Sequence, residues 1–370
     1  MRILLLCFLI FFQLPQTFGK ANESLRFALD KNVKNNYKED NFIIPQYRFK
    51  NNQTLENLRI HYITMGTSHK NKRGEITNAI LFLHWTGGSG KEMLIHFKQA
   101  LLAPEKPFDA NKYFLIFPDN IGQGHSSKPS DGLRMAFPHY NYHDMVELQH
   151  HLVTDKLKIA HLKMIVGTSM GCMHAWMWSE LYPNFMDGIM AIVCLPQQIE
   201  GRNLLWRQVV VHSIKNDPSW QNGNYKNTPY GLKAAWPWVA MMVDGTPHMQ
   251  RIISNPNEAS NYIHSAMLES AKHDPNDVIY IMSASSSYSP EPLLHSIKTK
   301  VFALDFTDDA LDSPNFYRMP DLMKHVKYEK WVLQNSTPFS HGHFTLLYPE
   351  LWVNHAKRFV QWINHSEKSE

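Results

Sequence analysis

Three apolar runs, each closed by glycine, restrict this chain more than any other feature. "AILFLHW" ends at Gly87 and Gly88, "YFLIFPDN" at Gly122 and Gly124, and "KMIVGTS" at Gly171. Strands buried on both faces read as continuous apolar runs, because helices cover both sides of a parallel sheet. Each run is followed by a stretch able to return as a helix. Between the second and third, Asp144 is placed to cap a helix on which Met145, Leu148 and Leu152 recur at helical spacing. After the third, "CMHAWMWSELYP" reads as a helix stopped before Pro183, and "GIMAIVCLP" as another buried strand. "TKVFALDFTDD", "KYEKWVLQN" and the amphipathic "LWVNHAKRFVQWI" complete the alternation. An α/β fold follows, with a mostly parallel central sheet and helices on both faces.

Other segments break that rhythm. "LRIHYITMG" alternates apolar and polar residues and predicts an antiparallel strand at a sheet edge. Residues 20–57, rich in Asn and Lys, predict an irregular arm. Residues 200–297 predict a mainly helical cap inserted into a core formed by 58–199 and 298–366. At 370 residues, one large domain with an insertion is sufficient. Trp176, Trp178, Trp236, Trp238, Met241 and Met242 are expected in the core, and those in the cap are also candidates for an acyl-binding wall.

Arg2 followed by "ILLLCFLIFF" is too short an apolar run to span a bilayer, so residues 1–19 read as a cleavable signal. Export to a periplasm or beyond is the expectation, with no stable membrane span after cleavage. Only Cys172 and Cys194 then remain, which permits one disulfide. The net charge of +4 is scattered along the chain, so no nucleic-acid partner is implied. A homodimer is left open.

The chemistry-bearing stretch is Gly167-Thr168-Ser169-Met170-Gly171. It fits G-x-S-x-G, with a strand before it and a helix after it, the context in which a serine hydroxyl is held exposed at a sharp turn. Such a serine needs a base to take its proton and an acid to orient that base, in the chain order Ser, acid, His. "LDFTDDALDSP" offers Asp305, Asp308, Asp309 and Asp312, and "FSHGHFTLLYPE" offers His341 and His343. His343 is favoured because Gly342 precedes it and an apolar turn follows. An oxyanion hole needs two backbone N–H groups: Met170 supplies one, and "HWTGGSG" the other through Thr86, or Trp85 in its place. No metal and no cofactor are expected, since neither histidine pair, 150/151 or 341/343, has H-E-x-x-H spacing.

"GTSMGCMHAWMWSELYP", "FPDNIGQGHSSKPS" and "SIKNDPSWQNGNY" resemble the α/β-hydrolase superfamily, in the branch containing homoserine O-acetyltransferase. The resemblance runs from about Leu58 to Ile363 and implies the α/β-hydrolase fold. It places Ser169, Asp309 and His343 on the triad, Asp309 because Asp309-Ala310-Leu311 matches the family's D-x-L, with Asp308 as the alternative. Three positions depart from the family pattern. Val211 stands where the family has an arginine, with Arg207 one helical turn earlier; Phe344 replaces the aspartate after the histidine; Cys172 replaces a glycine. Trp85, Arg207, Val211 and Phe344 are therefore the candidate substrate-binding residues. A zwitterionic substrate would want a charged partner at two of those places, and an exported enzyme would not meet acetyl-CoA. The reading is a serine hydrolase acting on a small-molecule acyl ester through an acyl-serine. An acetyl-CoA-dependent O-acyltransferase is the alternative, and a catalytically silent binding scaffold is the third reading.

Overall fold

The computed structural model describes residues 36–312 and 317–365. The predicted signal, 1–19, lies outside the described residues. Among these residues the strands are β1 (Tyr37–Arg48), β2 (Thr54–Met65), β3 (Ala79–Leu83), β4 (Phe114–Pro118), β5 (Leu162–Thr168), β6 (Met186–Ile192), β7 (Lys300–Phe306) and β8 (Glu329–Gln334). The core helices are α1 (Gly90–Phe97), α2 (Tyr142–His151) and α3 (Met170–Leu181). The cap follows with α4 (Gly201–Lys215), α5 (Tyr230–Val243), α6 (Thr246–Ile252), α7 (Pro256–Glu269) and α8 (Pro275–Ala284). The short α9 (Met319–Met323) and the closing α10 (Val353–His365) return to the core.

The strands form one sheet in the order β1-β2-β4-β3-β5-β6-β7-β8. β2 runs antiparallel to β4, and every pairing from β4 through β3, β5, β6 and β7 to β8 is parallel. β3 thus has β4 on one side and β5 on the other, so the loops leaving β3 and β5 diverge and open a crevice at the carboxyl ends of the strands. The predicted edge strand is β2, but it is not at the edge. Residues 37–48, expected as an irregular arm, form β1 outside it, with Phe49–Gln53 closing the turn through Phe49 N to Gln53 O at 2.9 Å. The lysines, acids and asparagine of "YKEDNFIIPQYR" suit a solvated edge strand, where only alternate side chains need be apolar.

Two faces of the sheet carry separate layers. Ala79, Leu81 and Leu83 of β3 join a cluster with Met145, Leu148, Trp176 and Trp178 of α2 and α3. On the opposite face Phe82 stacks on Phe117 at 4.7 Å and meets Phe97 of α1 at 6.4 Å. α3 is buried on nearly all sides, which is why its sequence carries no polar stripe, whereas α10 buries only Ala356, Phe359 and Ile363. Asn141, not Asp144, caps α2: Asn141 accepts from Asp144 N, and Asp144 at the third helical position accepts in return from Asn141 N.

The cap has an apolar core of its own, built from Trp206, Val210, Ile214, Trp220, Leu232, Trp236 and Ile279. Trp236 belongs to it, but Trp238 and Met241 are exposed at 55% and 43%, against expectation. Both lie on the face of α5 turned away from that core. Cys172 and Cys194 form a disulfide between α3 and the segment after β6.

Candidate active site

Gly167 and Gly171 set the turn. A Cβ on Gly167 would lie 2.0 Å from Gly171 O, and one on Gly171 would lie 2.0 Å from Leu83 O. With both absent, α3 starts directly against β3 and β5, and Ser169 is forced to φ 52° and ψ −115°. This left-handed region costs a side-chain-bearing residue of order 1–3 kcal/mol. Ser169 N is anchored on Ile192 O at 2.9 Å, and its hydroxyl stands clear of the backbone.

The loops after β7 and β8 bring up the partners. His343 Nε2 lies 2.8 Å from Ser169 Oγ, and His343 Nδ1 lies 2.6 Å from Asp309 Oδ2. The other acids are spoken for differently. Asp308 Oδ2 accepts from Gly342 N at 2.9 Å and so shapes the histidine loop from behind. Asp305 is buried in β7 and accepts from Trp331 Nε1 at 2.9 Å; burial keeps its carboxyl well above the usual range. Asp312 accepts from Asn203 Nδ2 at 3.2 Å, and burial together with the Asp309 charge pushes it up to about 6. Burial presses His343 downward, but the Asp309 charge and hydrogen bond, with the Asp312 charge, outweigh it and leave the imidazole above its ordinary value. His341 points elsewhere: its ring stacks on Tyr348 at 4.1 Å and meets His248 at 4.2 Å.

Above Ser169 is a cavity of about 330 Å³. Trp85, Thr86, His343 and Phe344 contribute from the core, and Trp206, Arg207, Trp236, Val243 and Met282 from the cap. Val211 does not line it. Val211 stands one helical turn after Arg207 but packs into the cap's apolar core instead. Arg207 is 2% exposed, with Nε donating to Asn203 Oδ1 at 3.0 Å. Its Nη1 is buried with no hydrogen-bond partner among the described residues, as are Thr86 Oγ1 and Tyr142 Oη. These three are neighbours: burial raises the Tyr142 phenol, and Arg207 and Thr86 draw it back. Arg207 and Thr86 thus make one polar corner of the cavity, and Glu92, His96, Glu269 and His273 line it elsewhere.

The amides that could face an oxyanion are sorted by the loop itself. Gly87 N donates to Gln123 Oε1 at 2.8 Å and Gly88 N to Trp85 O at 3.1 Å. Trp85 and Thr86 line the cavity, and their amides make no such bond among the described residues; Met170 heads α3 next to Ser169. The sequence reasoning missed what holds them. His84 is buried, accepts from Asn120 N on Nε2 at 3.1 Å and contacts Trp85 O through Nδ1 at 2.9 Å. Gln123 touches both sides, since its Nε2 lies 3.5 Å from Met170 Sδ. Polar residues directly after an apolar strand, as in "HWTGG" and "DNIGQG", were the available signal.

Residues 78–231 match the family model described as alpha/beta hydrolase fold. The solved structure of homoserine O-acetyltransferase from Bacillus anthracis aligns with a TM-score of 0.76 at 23% identity, covering 88% of this chain and 98% of that one. The chain has the alpha/beta hydrolase fold. Within that fold it is similar to homoserine O-acetyltransferases. The homoserine O-acetyltransferase of Carboxydothermus hydrogenoformans is 26% identical over 355 positions, 83% of this chain and 91% of that protein. The ethyl acetate hydrolase of Pseudomonas veronii is 31% identical over 156 positions, 41% of this chain and 43% of that one. This α/β hydrolase therefore groups with enzymes of two kinds, esterases and acyltransferases, that share a fold.

Proposed function

We propose that this α/β hydrolase cleaves a small carboxylic ester through an acyl-serine intermediate. The observation that carries the reading is the unbroken hydrogen-bonded line from Ser169 Oγ through His343 to Asp309, opening at Ser169 and His343 into a small cavity. Ser169 Oγ attacks the ester carbonyl while His343 Nε2 takes its proton, and Asp309 stabilises the imidazolium. The tetrahedral oxyanion is received by the Met170 amide and by Thr86, with Trp85 beside it; one such donor is worth about 2.7–4 kcal/mol. His343 returns the proton to the leaving alcohol. Water, deprotonated in turn by His343, then attacks the acyl carbonyl and frees the carboxylic acid and Ser169.

Water as acceptor is supported by Phe344, an apolar residue in the cavity wall where the homoserine-specific pattern carries an aspartate. The second reading, O-acyl transfer, is favoured by Arg207, whose unpartnered Nη1 would receive a substrate carboxylate. Both readings put an anionic or carbonyl group at the Arg207 corner. Export of the protein belongs to the same proposal, and the intact mass of material recovered outside the cytoplasm tests it: retention of residues 1–19 contradicts cleavage.

The main test labels the purified protein with a fluorophosphonate, with Ser169→Ala as control, and compares p-nitrophenyl acetate turnover with acetyl-CoA consumption in the presence of homoserine. Labelling confined to Ser169, with ester turnover, is the expected result. Consumption of acetyl-CoA only when homoserine is present would replace hydrolysis by transfer, and absence of labelling would overturn both.

A further inference from the structure

Outside the catalytic line, Asp244, His248 and His341 bring one ligand atom each to within 4.8 Å of one another. They come from separate parts of the chain. Asp244 ends α5, His248 lies in the first turns of α6, and His341 precedes the catalytic histidine by two residues. Their elements touch through glycine: a Cβ on Gly245 would lie 2.3 Å from Gly342 N, and one on Gly342 would lie 2.7 Å from Gly245 N. Only bare backbone allows the cap and the histidine loop to meet this closely.

We propose that Asp244, His248 and His341 form a binding site for a divalent transition-metal ion of the Zn²⁺ type, joining the cap to the loop that carries His343. Two imidazoles and one carboxylate are a ligand set for Zn²⁺, Co²⁺ or Ni²⁺, not for Mg²⁺ or Ca²⁺, which take oxygen. Three protein ligands leave a fourth tetrahedral position for water. Tetrahedral Zn²⁺ holds its ligand atoms about 3.3 Å apart, so closure from the present spacing needs side-chain shifts of about 1.5 Å or less.

A hydrogen-bonded pair alone accounts for part of the cluster. His248 Nδ1 lies 2.9 Å from both Asp244 oxygens, an i, i+4 arrangement at a helix junction. It does not account for His341, whose ring is turned to His248 at 4.2 Å. The His341 ring is half-buried between Tyr348 and His248, and so is held facing the pair. Tyr262 Oη donates to Asp244 Oδ2 at 3.3 Å, the outer contact that orients a ligating carboxylate. The side chain of His248 is 22% exposed, which leaves an entry path.

Titration of the full chain with Co²⁺, followed by Zn²⁺ displacement, tests the site with a readout independent of turnover. One equivalent of Co²⁺ is expected to give the strong visible absorption of a four-coordinate ion, abolished by Zn²⁺. His248→Gln and His341→Gln are each expected to remove that spectrum, and Tyr262→Phe to weaken binding about 10-fold. Fluorophosphonate labelling at Ser169 and circular dichroism check that each variant is folded; if His341→Gln does not fold, His248→Gln carries the test alone. Absence of a Co²⁺ spectrum in the parent protein overturns the site. So does binding that survives both substitutions, which would place the ion on other members of the chain's 21 histidines.

Discussion

Replacing Arg207 by methionine should stabilise the protein while crippling it toward anionic substrates. Arg207 is 2% exposed, and no carboxylate approaches it to salt-bridge distance among the described residues. Its compensation is the hydrogen bond from Nε to Asn203 Oδ1, the Trp206 ring 5.1 Å from its Cζ, the Tyr142 phenol beside it and the more distant Asp312 charge. A hydrogen bond to a charged group returns about 1.5–3 kcal/mol, whereas desolvating the guanidinium costs several kcal/mol. Asn203 Oδ1 still accepts from Trp206 Nε1 at 3.2 Å, so the substitution orphans nothing there. Methionine fills a similar volume, and the balance favours Arg207→Met by about 1–2 kcal/mol. At about 2.1 cal/mol/K of unfolding entropy per residue, a body of this length gains about 1.5–3 °C in Tm. The same change removes the charge-assisted contact to a substrate carboxylate, so kcat/KM for 4-acetoxybutyrate should fall about 10–150-fold. The value for p-nitrophenyl acetate, which carries the same acyl group and no carboxylate, should stay within about threefold. Calorimetry and the two ester assays read the effects separately. A lower Tm, or equal losses on both esters, refutes the assignment of Arg207 as a charge held ready for substrate.

Four further outcomes follow from the same geometry. Asp309→Asn should lower kcat by about 10⁴, as loss of the orienting carboxylate does in such triads, while Asp308→Asn, which disturbs only the Gly342 amide contact, should cost less than tenfold in steady-state assays. Gly171→Ala drives a methyl against Leu83 O, so urea denaturation should show a loss of about 1–3 kcal/mol, and the displaced head of α3 should lower kcat by about 10². His343 must be neutral to act as base; because its pKa is raised, the acid limb of the kcat/KM–pH profile should lie above the ordinary histidine value, and Asp312→Asn, removing one of the raising charges, should move that limb to lower pH. Replacing Cys172 and Cys194 together by serine opens a link across a separation of 22 residues and should cost about 3 kcal/mol in denaturant titrations.

What was legible in the sequence followed from local rules. The buried strands announced themselves as apolar runs because both their faces are covered, and the elbow at Ser169 was readable because Gly167 and Gly171 are each required by a backbone oxygen 2.0 Å from where a Cβ would lie. The choice among Asp305, Asp308, Asp309 and Asp312 was not open to pattern, since four acids within eight positions differ only in which way the loop turns after Phe306. Family resemblance indicated Asp309, and the hydrogen bond to His343 Nδ1 singles it out. Val211 was misplaced for a similar reason: facing the cavity or the cap core is decided by how α4 rolls against α5 and α8, which no spacing within α4 records. β1 was misread because an edge strand needs few apolar residues.

The division between hydrolysis and transfer turns on what the cavity can do with charge. Arg207 brings a buried cation to the cavity wall, and the Asp312 carboxylate, bridged to it by Asn203, feels its charge without forming an ion pair with it, so a substrate carboxylate still has a cation to meet. On the opposite side, Phe344 offers no charge to an amine. A substrate with a carboxylate and no ammonium group satisfies both walls beside Ser169, whereas a zwitterion must carry its cation past Phe344 to Glu92 or Glu269 elsewhere in the lining. The expected order of turnover is therefore 4-acetoxybutyrate above O-acetylhomoserine, and Phe344→Asp should reverse it by placing an anion beside His343. An unchanged order in that variant would show that the amine never approaches this wall, and would return Arg207 to a purely structural account.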